Sequence, residues 1–433
     1  MSSFSISLAE LNAALGIGKT ILGDKSSSSE SKYTIFTASS SGVMFSVYTR
    51  QGLIRTQLEV TDLDVSEPWQ FFVNFEDLSR IVDMFKGLRV TRVTDITISS
   101  QEKAILVSVH EEPIDDEMGD GYSNTSHFRL NALQPQTQAA EAVAREFPSD
   151  TQDVGALRLN TYISALQPVM SNDASASNSA TMYFAPDFIF VMSSTMNSMF
   201  INELPEAFQG QGIALSYSNV SAIKELTKQS LADASNIVIE DYDEDIDFDS
   251  SDENDPLLNA SVEVARLEKL NGATEYLALR YKGIEMMLRP RSTAMPNYKR
   301  FSDQIFAQSE DGAYITRQTG IVVNRSYFKD VIKRMAIDKD VTFEFDTDEG
   351  FAKVSSKNYD QNIPLDAVKG DLDEVVFSIS VPIISNTILG DDSTYSDSVF
   401  MYISMNAKNY TLYVMDDTGV WFSSVNVNKK KRL

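Results

Sequence analysis

Three stretches carry residue types that could do chemistry. Ala13 to Thr20 reads A-A-L-G-I-G-K-T, a match to a permissive phosphate-loop pattern. A true phosphate loop follows a buried strand and opens a helix, so that its free N–H groups cradle the phosphates. Here Leu8, Leu11 and Leu15 already recur at helical spacing into the motif. No downstream apolar strand ending in a magnesium-binding Asp stands out, so nucleotide hydrolysis is not expected. Glu240 to Asp255 is crowded with carboxylates that could hold Ca²⁺, but it lacks the central Gly of an EF-hand loop. It reads as an insertion without a packed core of its own. His110 and His127 are the only histidines and there is no Cys. That excludes disulfides, thiolate metal sites and Cys nucleophiles, and leaves too few His for a His-based metal site or a Ser–His–Asp set. The expectation is a protein with no catalytic residue, no metal and no cofactor.

What remains is charge. The 433-residue chain has a net charge of −25, which argues against nucleic acid unless its 37 Lys and Arg are gathered in one place. The elements that could gather them are visible in Ile321 to Ala336, I-V-V-N-R-S-Y-F-K-D-V-I-K-R-M-A. A short apolar run leads to Asn324, a good helix N-cap. Tyr327, Phe328, Val331, Ile332 and Met335 then recur at spacings of three and four, one face of a helix. The other face carries Arg325, Lys329, Lys333 and Arg334.

This strand–cap–helix unit recurs. Phe4–Ile6 leads to Ser7, with Glu10 completing a capping box. Trp69–Val73 leads to Asn74, then Leu78, Ile81, Val82 and Phe85. Ala156–Leu159 leads to Asn160, Gly212–Leu215 to Ser216 or Ser218, and Val375–Ile379 to Ser380. Six units fall in three pairs, whose caps lie about 67, 56 and 56 residues apart (7 to 74, 160 to 216, 324 to 380). Runs of alternating strands fill the intervals, among them Tyr33–Thr37, Val43–Tyr48, Leu53–Val60, Asp95–Ser99, Ala104–Val109 and His127–Leu130. Gln134 to Asp153 reads as a linker, in part helical. Six units at regular spacing signal a repeat architecture.

The six helical segments hold nine basic residues, Lys19, Arg80, Lys86, Lys224, Lys228, Arg325, Lys329, Lys333 and Arg334. They hold six acidic ones, Glu10, Glu76, Asp77, Asp83, Glu225 and Asp330. The helices are therefore about +3 and the rest of the chain about −28. Taken singly, each helix shows an ordinary solvated face. Segregation across the repeat makes the helices the one part suited to a polyanion.

In this order of elements the chain resembles the bacterial-type DNA polymerase sliding clamp, the beta subunit or processivity factor. Ala294-Met-Pro-Asn-Tyr-Lys-Arg-Phe301 is similar to the x-F-P-D-Y-x-R-V of that family's G-x-F-P-D-Y-x-R-V, with Asn297 for the Asp. Val323-Asn-Arg-Ser-Tyr-Phe-Lys-Asp-Val-Ile-Lys-Arg334 resembles V-D-R-x-x-L-x-x-A-L-x-R, and Arg432-Leu433 the terminal R-L. The resemblance spans essentially the whole chain. It implies an α+β fold of three clamp domains, each with two helices inside and antiparallel sheets outside. The domains would be residues 1–140, 154–305 (with an acidic insertion at 240–256) and 314–433. It further implies a head-to-tail homodimer that encircles double-stranded DNA without reading sequence, tethers a DNA polymerase and is placed by an ATP-dependent clamp loader.

Carried over by position, the DNA-facing residues are the nine helical cations together with Lys25 and Lys32, which flank the Ser-rich stretch Ser26–Ser31. The subunit joint would set Phe128 and Leu130 against Met335 and Ile337. A partner-peptide pocket would use Met196, Met199, Val220, Ile223, Val425 and Val427. The family's pocket segment T-D-G-H-R-L is Ser193-Ser-Thr-Met-Asn-Ser198 here, and the tail Lys429–Arg432 is basic where the family's is apolar. These departures point to a clamp matched to its own polymerase, as in a phage. No apolar run reaches the roughly 18 residues of a membrane span, and no secretory signal pattern is visible, so a cytoplasmic protein is expected. A β-rich oligomeric assembly protein, whose repeat merely builds the oligomer, is the alternative from another class.

Overall fold

The computed structural model describes residues 2–22, 32–86, 91–113, 124–157, 159–160, 163–164, 181–184, 188–192, 196–201, 212–240, 256–268, 274–291, 306–308, 314–316, 320–346, 348–369, 376–380, 398–406, 409–415 and 419–428. These fall into two compact units, residues 1–160 with 218–290, and residues 161–217 with 291–433.

The first unit begins with β1 (Ser3–Ile6) and α1 (Leu8–Leu22). A meander follows: β2 (Tyr33–Ser39), β3 (Gly42–Thr49), β4 (Gly52–Leu58), β5 (Thr61–Asp64) and β6 (Trp69–Asn74). Then come α2 (Phe75–Met84), β7 (Thr91–Gln101), β8 (Ala104–Pro113), β9 (Asn124–Asn131) and α3 (Thr137–Ala144). One sheet runs β5-β1-β7-β8-β9. The other contains β4-β3-β2-β6 and continues past β4 into the second repeat. One apolar core joins both sheets and both helices: Leu11 and Leu15 of α1, Leu78, Ile81 and Val82 of α2, Phe36, Phe45 and Val47, and Ile96, Ile98, Ile105 and Val107. Those leucines and isoleucines are the ones at three- and four-residue spacing, so burial of that face fixes the helices on the sheets.

The second repeat adds β10 (Gln152–Gly155), β11 (Thr181–Phe184), β12 (Phe188–Met192), β13 (Met196–Ile201) and β14 (Ile213–Leu215). After α4 (Tyr217–Glu240) follow β15 (Ser261–Glu268), β16 (Thr274–Tyr281) and β17 (Ile284–Leu288). In the first unit, β10-β15-β16-β17 extends the sheet of β4-β3-β2-β6. Gly52 makes that junction possible. A Cβ there would lie 2.4 Å from the Met287 carbonyl oxygen. The opposite face of this eight-stranded sheet carries a second core, Tyr33, Ile35, Tyr48, Phe72, Tyr276 and Met287, covered by Ala139 and Ala142 of α3. Arg55 pairs with Glu285 across the junction and also donates to the Arg145 carbonyl oxygen at 2.7 Å.

In the second unit a short pair, β18 (Phe306–Gln308) and β19 (Tyr314–Thr316), precedes β20 (Gly320–Asn324), α5 (Arg325–Arg334) and a 3-10 turn at Met335–Ile337. The remaining strands are β21 (Asp340–Asp346), β22 (Phe351–Ser355), β23 (Asp360–Pro364), β24 (Ala367–Lys369), β25 (Val376–Ser380), β26 (Ser398–Asn406), β27 (Asn409–Met415) and β28 (Gly419–Asn428). Strands β14-β11-β12-β13 join β28, and β25-β21-β22-β23 forms the far end of the same sheet. The core here is Phe328, Val331, Ile332 and Met335 against Phe343, Phe345, Phe377 and Val414. Phe343 and Phe377 stack at 4.9 Å.

The same wiring thus occurs three times. A sheet ordered β6-β2-β3-β4 recurs as β14-β11-β12-β13 and β25-β21-β22-β23. A sheet ordered β1-β7-β8-β9 recurs as β10-β15-β16-β17 and β20-β26-β27-β28.

Four local expectations need adjustment. Ala156, Leu157 and Leu159 are helical, not a strand; the strand is the preceding Gln152–Gly155. Ala156, Leu159 and Ile163 are buried at spacings of three and four, a helical period that a short apolar run conceals. The cap of that helix is therefore near Gly155 rather than Asn160. The Ser7 capping box is half-formed. Glu10 N–H donates to Ser7 Oγ at 3.1 Å, while the Glu10 carboxylate accepts from Glu59 N–H at 3.4 Å. Helix α4 runs on to Glu240, ten residues past the sequence expectation. The expected helix at 380–390 and the acidic run 241–255 lie outside the described residues.

Candidate nucleic-acid interface and open sheet edges

The phosphate-loop match sits inside α1, so its backbone N–H groups are spent in the helix rather than turned outward. Its second glycine has a packing role. A Cβ on Gly18 would lie 2.5 Å from Val47 Cγ2 and 3.4 Å from the Phe75 ring. Gly16 faces open space.

The helical cations are not equally available. Lys19, Arg80, Lys86, Lys228, Lys333 and Arg334 are exposed, and Lys224 and Lys329 are half-buried. Burial is the main cause that pulls the Lys224 ammonium below the usual lysine range, with the charge of Lys228 adding to it. Lys86 is 2.5 Å from Asp83. That hydrogen bond is the largest cause holding the Asp83 carboxyl below its ordinary range, and Lys19 contributes. Lys32 is buried and lies 3.6 Å from Glu76 in the first turn of α2, so it braces that helix. Lys25 lies outside the described residues.

Arg325 is 3% exposed, which corrects its place on the basic face. It shares a helix side with Phe328 and Ile332, at spacings of three and seven, and that side is the core side. Arg334 donates to Gln361 Oε1 at 3.2 Å. Gln361 donates in turn to the Tyr327 hydroxyl at 2.5 Å and accepts from the Tyr359 hydroxyl at 2.6 Å. The Tyr359 contact holds the Arg334 guanidinium above its usual value. This Tyr–Gln–Tyr–Arg array at the surface of α5 and β23 was not foreseen. Its members come from 327 to 361 and share no motif.

The joint candidates also divide. Leu130 and Met335 are core residues. Phe128 is half-buried and meets Phe85 edge-on at 5.8 Å. Ile337 is 89% exposed. Phe128 and Leu130 belong to β9, an edge strand, and β23 is the edge at the far end of the second unit's sheet. In antiparallel ladders alternate residues point their N–H and C=O to opposite sides. Ala132 N–H donates to Lys103 O, and Ser356 N–H to Tyr359 O. Alternation from these bonds leaves Thr125, His127 and Arg129 on β9, and Asp360 and Asn362 on β23, directed at the open edges.

Of the pocket candidates, Val220 and Ile223 are fully buried and Val425 nearly so. Met196 and Met199 lie on β13, which pairs with β28, the strand of Val425 and Val427. The side chains of Met196, Met199 and Val427 lie outside the described set, as do Ala294–Phe301 and the basic tail. Among the described residues no cluster of three or more metal-ligating side chains occurs, and no helix is long and apolar enough to cross a membrane.

No family model and no curated protein matches the sequence. Solved structures do match in fold. The DNA polymerase III beta subunit of Pseudomonas aeruginosa aligns with a TM-score of 0.64 at 11% identity, covering 98% of this chain and 99% of that one. The beta subunit of Thermotoga maritima gives 0.62 at 12%, and the DNA polymerase sliding clamp of Bacillus subtilis 0.63 at 13%, with the same coverage. The chain has the bacterial sliding-clamp fold.

Proposed function

We propose that this chain, folded as a bacterial-type sliding clamp, is a processivity factor. Two copies close head to tail around duplex DNA, and the ring tethers a replicative DNA polymerase after an ATP-dependent loader has placed it. The three repeats act as clamp domains, residues 1–140, 154–305 and 314–433, and the chain has no catalysis of its own.

The observation that carries this reading is the pattern of sheet edges. At β4–β17 and at β13–β28, the last strand of one sheet type pairs antiparallel with the last strand of the other. Three repeats joined twice leave one of each type unpaired, β23 and β9. Long unpaired edges are a liability that native proteins cover or pair. Pairing them between two copies closes a ring with every junction alike, the closed head-to-tail symmetry that oligomers favour. Beside β23, the Tyr327 hydroxyl (residue 38% exposed) donates to Asn362 O at 3.4 Å and Tyr359 (36%) precedes the strand. Met84 (50%) on α2, the helix packed on β9, and Ile337 (89%) after α5 are further exposed apolar side chains suited to an interface.

The charge pattern supports the DNA partner. A ring needs no base contacts; it needs a mildly positive wall that attracts phosphates without fixing register. Lys19, Arg80, Lys228 and Lys333 supply exposed cations on the helices, while the remainder of the chain is strongly acidic. Polymerase and loader peptides would engage the region of β13 and β28. Two measurements test the reading together. The protein should sediment at about 96 kDa, twice its 48.2 kDa, and should lengthen synthesis by the cognate polymerase on primed circular DNA when loader and ATP are present. A monomer that leaves synthesis unchanged would overturn it.

A further inference from the structure

The two internal junctions share one register, which predicts the contacts of the third. In the first unit a row of paired residues begins at Phe72, two before the cap Asn74, and runs Phe72–Ile35–Ser46–Arg55. It meets Glu285 and continues Arg280–Glu263–Asp153, ending two before the cap at Gly155. In the second unit the row from Ala214, two before Ser216, runs Tyr183–Phe190–Met199. It meets Val420 and continues Met415–Phe400–Val322, two before Asn324. The rule is the same at both.

Applied to the open edges, the row from Ser378, two before Ser380, runs Thr342–Ser355–Asp360. The row from Ser5, two before Ser7, runs Thr97–Ser108–His127. Both Asp360 and His127 are exposed, and both direct their backbone groups at the open edge. We infer that ring closure sets His127 directly opposite Asp360 of the partner subunit, forming an ion pair where the first internal junction holds Arg55 and Glu285. This rests on the head-to-tail reading above.

Here the polarity is reversed, with His127 in the place of Glu285 and Asp360 in that of Arg55, and an imidazole as the cation makes closure proton-dependent. Imidazole is the side chain whose charge changes between about pH 5 and 8. Ser108 Oγ lies 2.9 Å from His127 Nδ1, which leaves Nε2 to face the carboxylate. The other groups around His127 are His110 on β8, which lies 3.8 Å from Asp95 of β7, and Thr125 and Arg129 on β9 itself. Around Asp360 the outward groups are Ser355 and Lys353 on β22, with Thr342 and Glu344 beyond on β21. All of these are present whether the ring is open or closed. Closure brings the two groups of residues together, and the charge it sets directly opposite the imidazole is the carboxylate of Asp360, which favours its charged form. Closure is therefore tightest where imidazole is protonated and carboxylates are ionised, and it loosens as pH rises through the imidazole range.

An exposed ion pair changes an equilibrium by roughly two- to five-fold. A ring has two joints, so the effect on the dimer is about 4- to 25-fold. The test is the monomer–dimer dissociation constant, measured by sedimentation from pH 8 to 6, for the natural protein and a set of variants. The natural protein should tighten by that factor beyond the change seen in His127→Gln. Asp360→Asn should match His127→Gln, and the double variant should match either single. His110→Gln should retain the pH dependence, and His127→Arg should be tight and insensitive to pH. If all proteins dimerise and His127→Gln keeps the natural pH dependence, the ion pair is refuted while the ring stands. If the natural protein fails to dimerise at every pH, the ring itself is refuted, and the pair with it.

Discussion

The two glycines of A-L-G-I-G-K-T give a paired experiment in which one substitution should have opposite signs. Both lie in α1, where Gly costs the folded helix about 0.5–1 kcal/mol relative to Ala. At Gly16 an added Cβ meets nothing within 4 Å, so Gly16→Ala should stabilise by about that amount. At Gly18 the same helical gain applies, but the Cβ would lie 2.5 Å from Val47 Cγ2 and 3.1 Å from its Cβ. Val47 is 1% exposed, its β-branched side chain has one favoured rotamer, and Phe75 closes the other side. Overpacking of this kind costs about 1–3 kcal/mol. The helical gain cancels between the variants, so they should separate by about 1–3 kcal/mol, with Gly18→Ala less stable than the natural protein. Urea unfolding followed by circular dichroism and tryptophan fluorescence reads this directly, since Trp69 stacks on Phe4 in the same core. Equal midpoints for the two variants would refute the packing of α1 on β3 described above.

Three further outcomes are expected. Reversing Arg80, Lys228 and Lys333 to Glu should weaken retention on DNA, and should lower the slope of log affinity against log salt by about 0.9 for each phosphate no longer neutralised, with dimer mass unchanged; an unaltered slope would remove these residues from the DNA wall. Asn74→Ala should cost about 1 kcal/mol, because Asn74 accepts from Glu76 and Asp77 N–H at 2.8 and 3.3 Å, while Asn74→Asp should keep the cap; thermal unfolding of the two variants decides it. Hydrogen bonds, first from Lys282 and then from Tyr281, hold the Asp233 carboxyl below its usual range. Its stabilising effect is present above the ordinary carboxylate pKa near 3.9 and is lost as pH falls through the lowered value. Asp233→Asn should therefore lower stability at neutral pH and flatten the acid limb of a stability–pH curve; a parallel acid limb would contradict the assignment.

Much of the fold is legible where a helix announces itself twice, by a cap and by an apolar stripe. Asn74 and Asn324 both accept from first-turn N–H groups, and most residues at three- and four-residue spacing behind them are buried; Tyr327, expected on the apolar face, is instead 38% exposed, and Phe85 is half-buried at the helix end. The reading failed where only one signal was present. Ala156–Leu159 is too short to show its period, and β10 buries only Val154, so the strand and the helix start were displaced. The exposure of the basic residues is not legible one by one. Arg325 lies at the rim of the apolar stripe, where one residue of phase decides between core and solvent, and Lys32 finds a carboxylate 44 positions away. Sheet edges were the least legible. Nothing in Asn124–Asn131 or Asp360–Pro364 says that it lacks a neighbour; only the completed strand order shows it. The His127–Asp360 pairing could not have been found without that order.

The most direct test of the central claim is topological. The protein is loaded on nicked circular duplex DNA, freed of loader by gel filtration, and the circle is then cut once by a restriction enzyme. A ring that encircles DNA and slides should stay with the intact circle at moderate salt and leave the linear form within the time of the cut. Equal retention on circular and linear DNA would contradict encirclement.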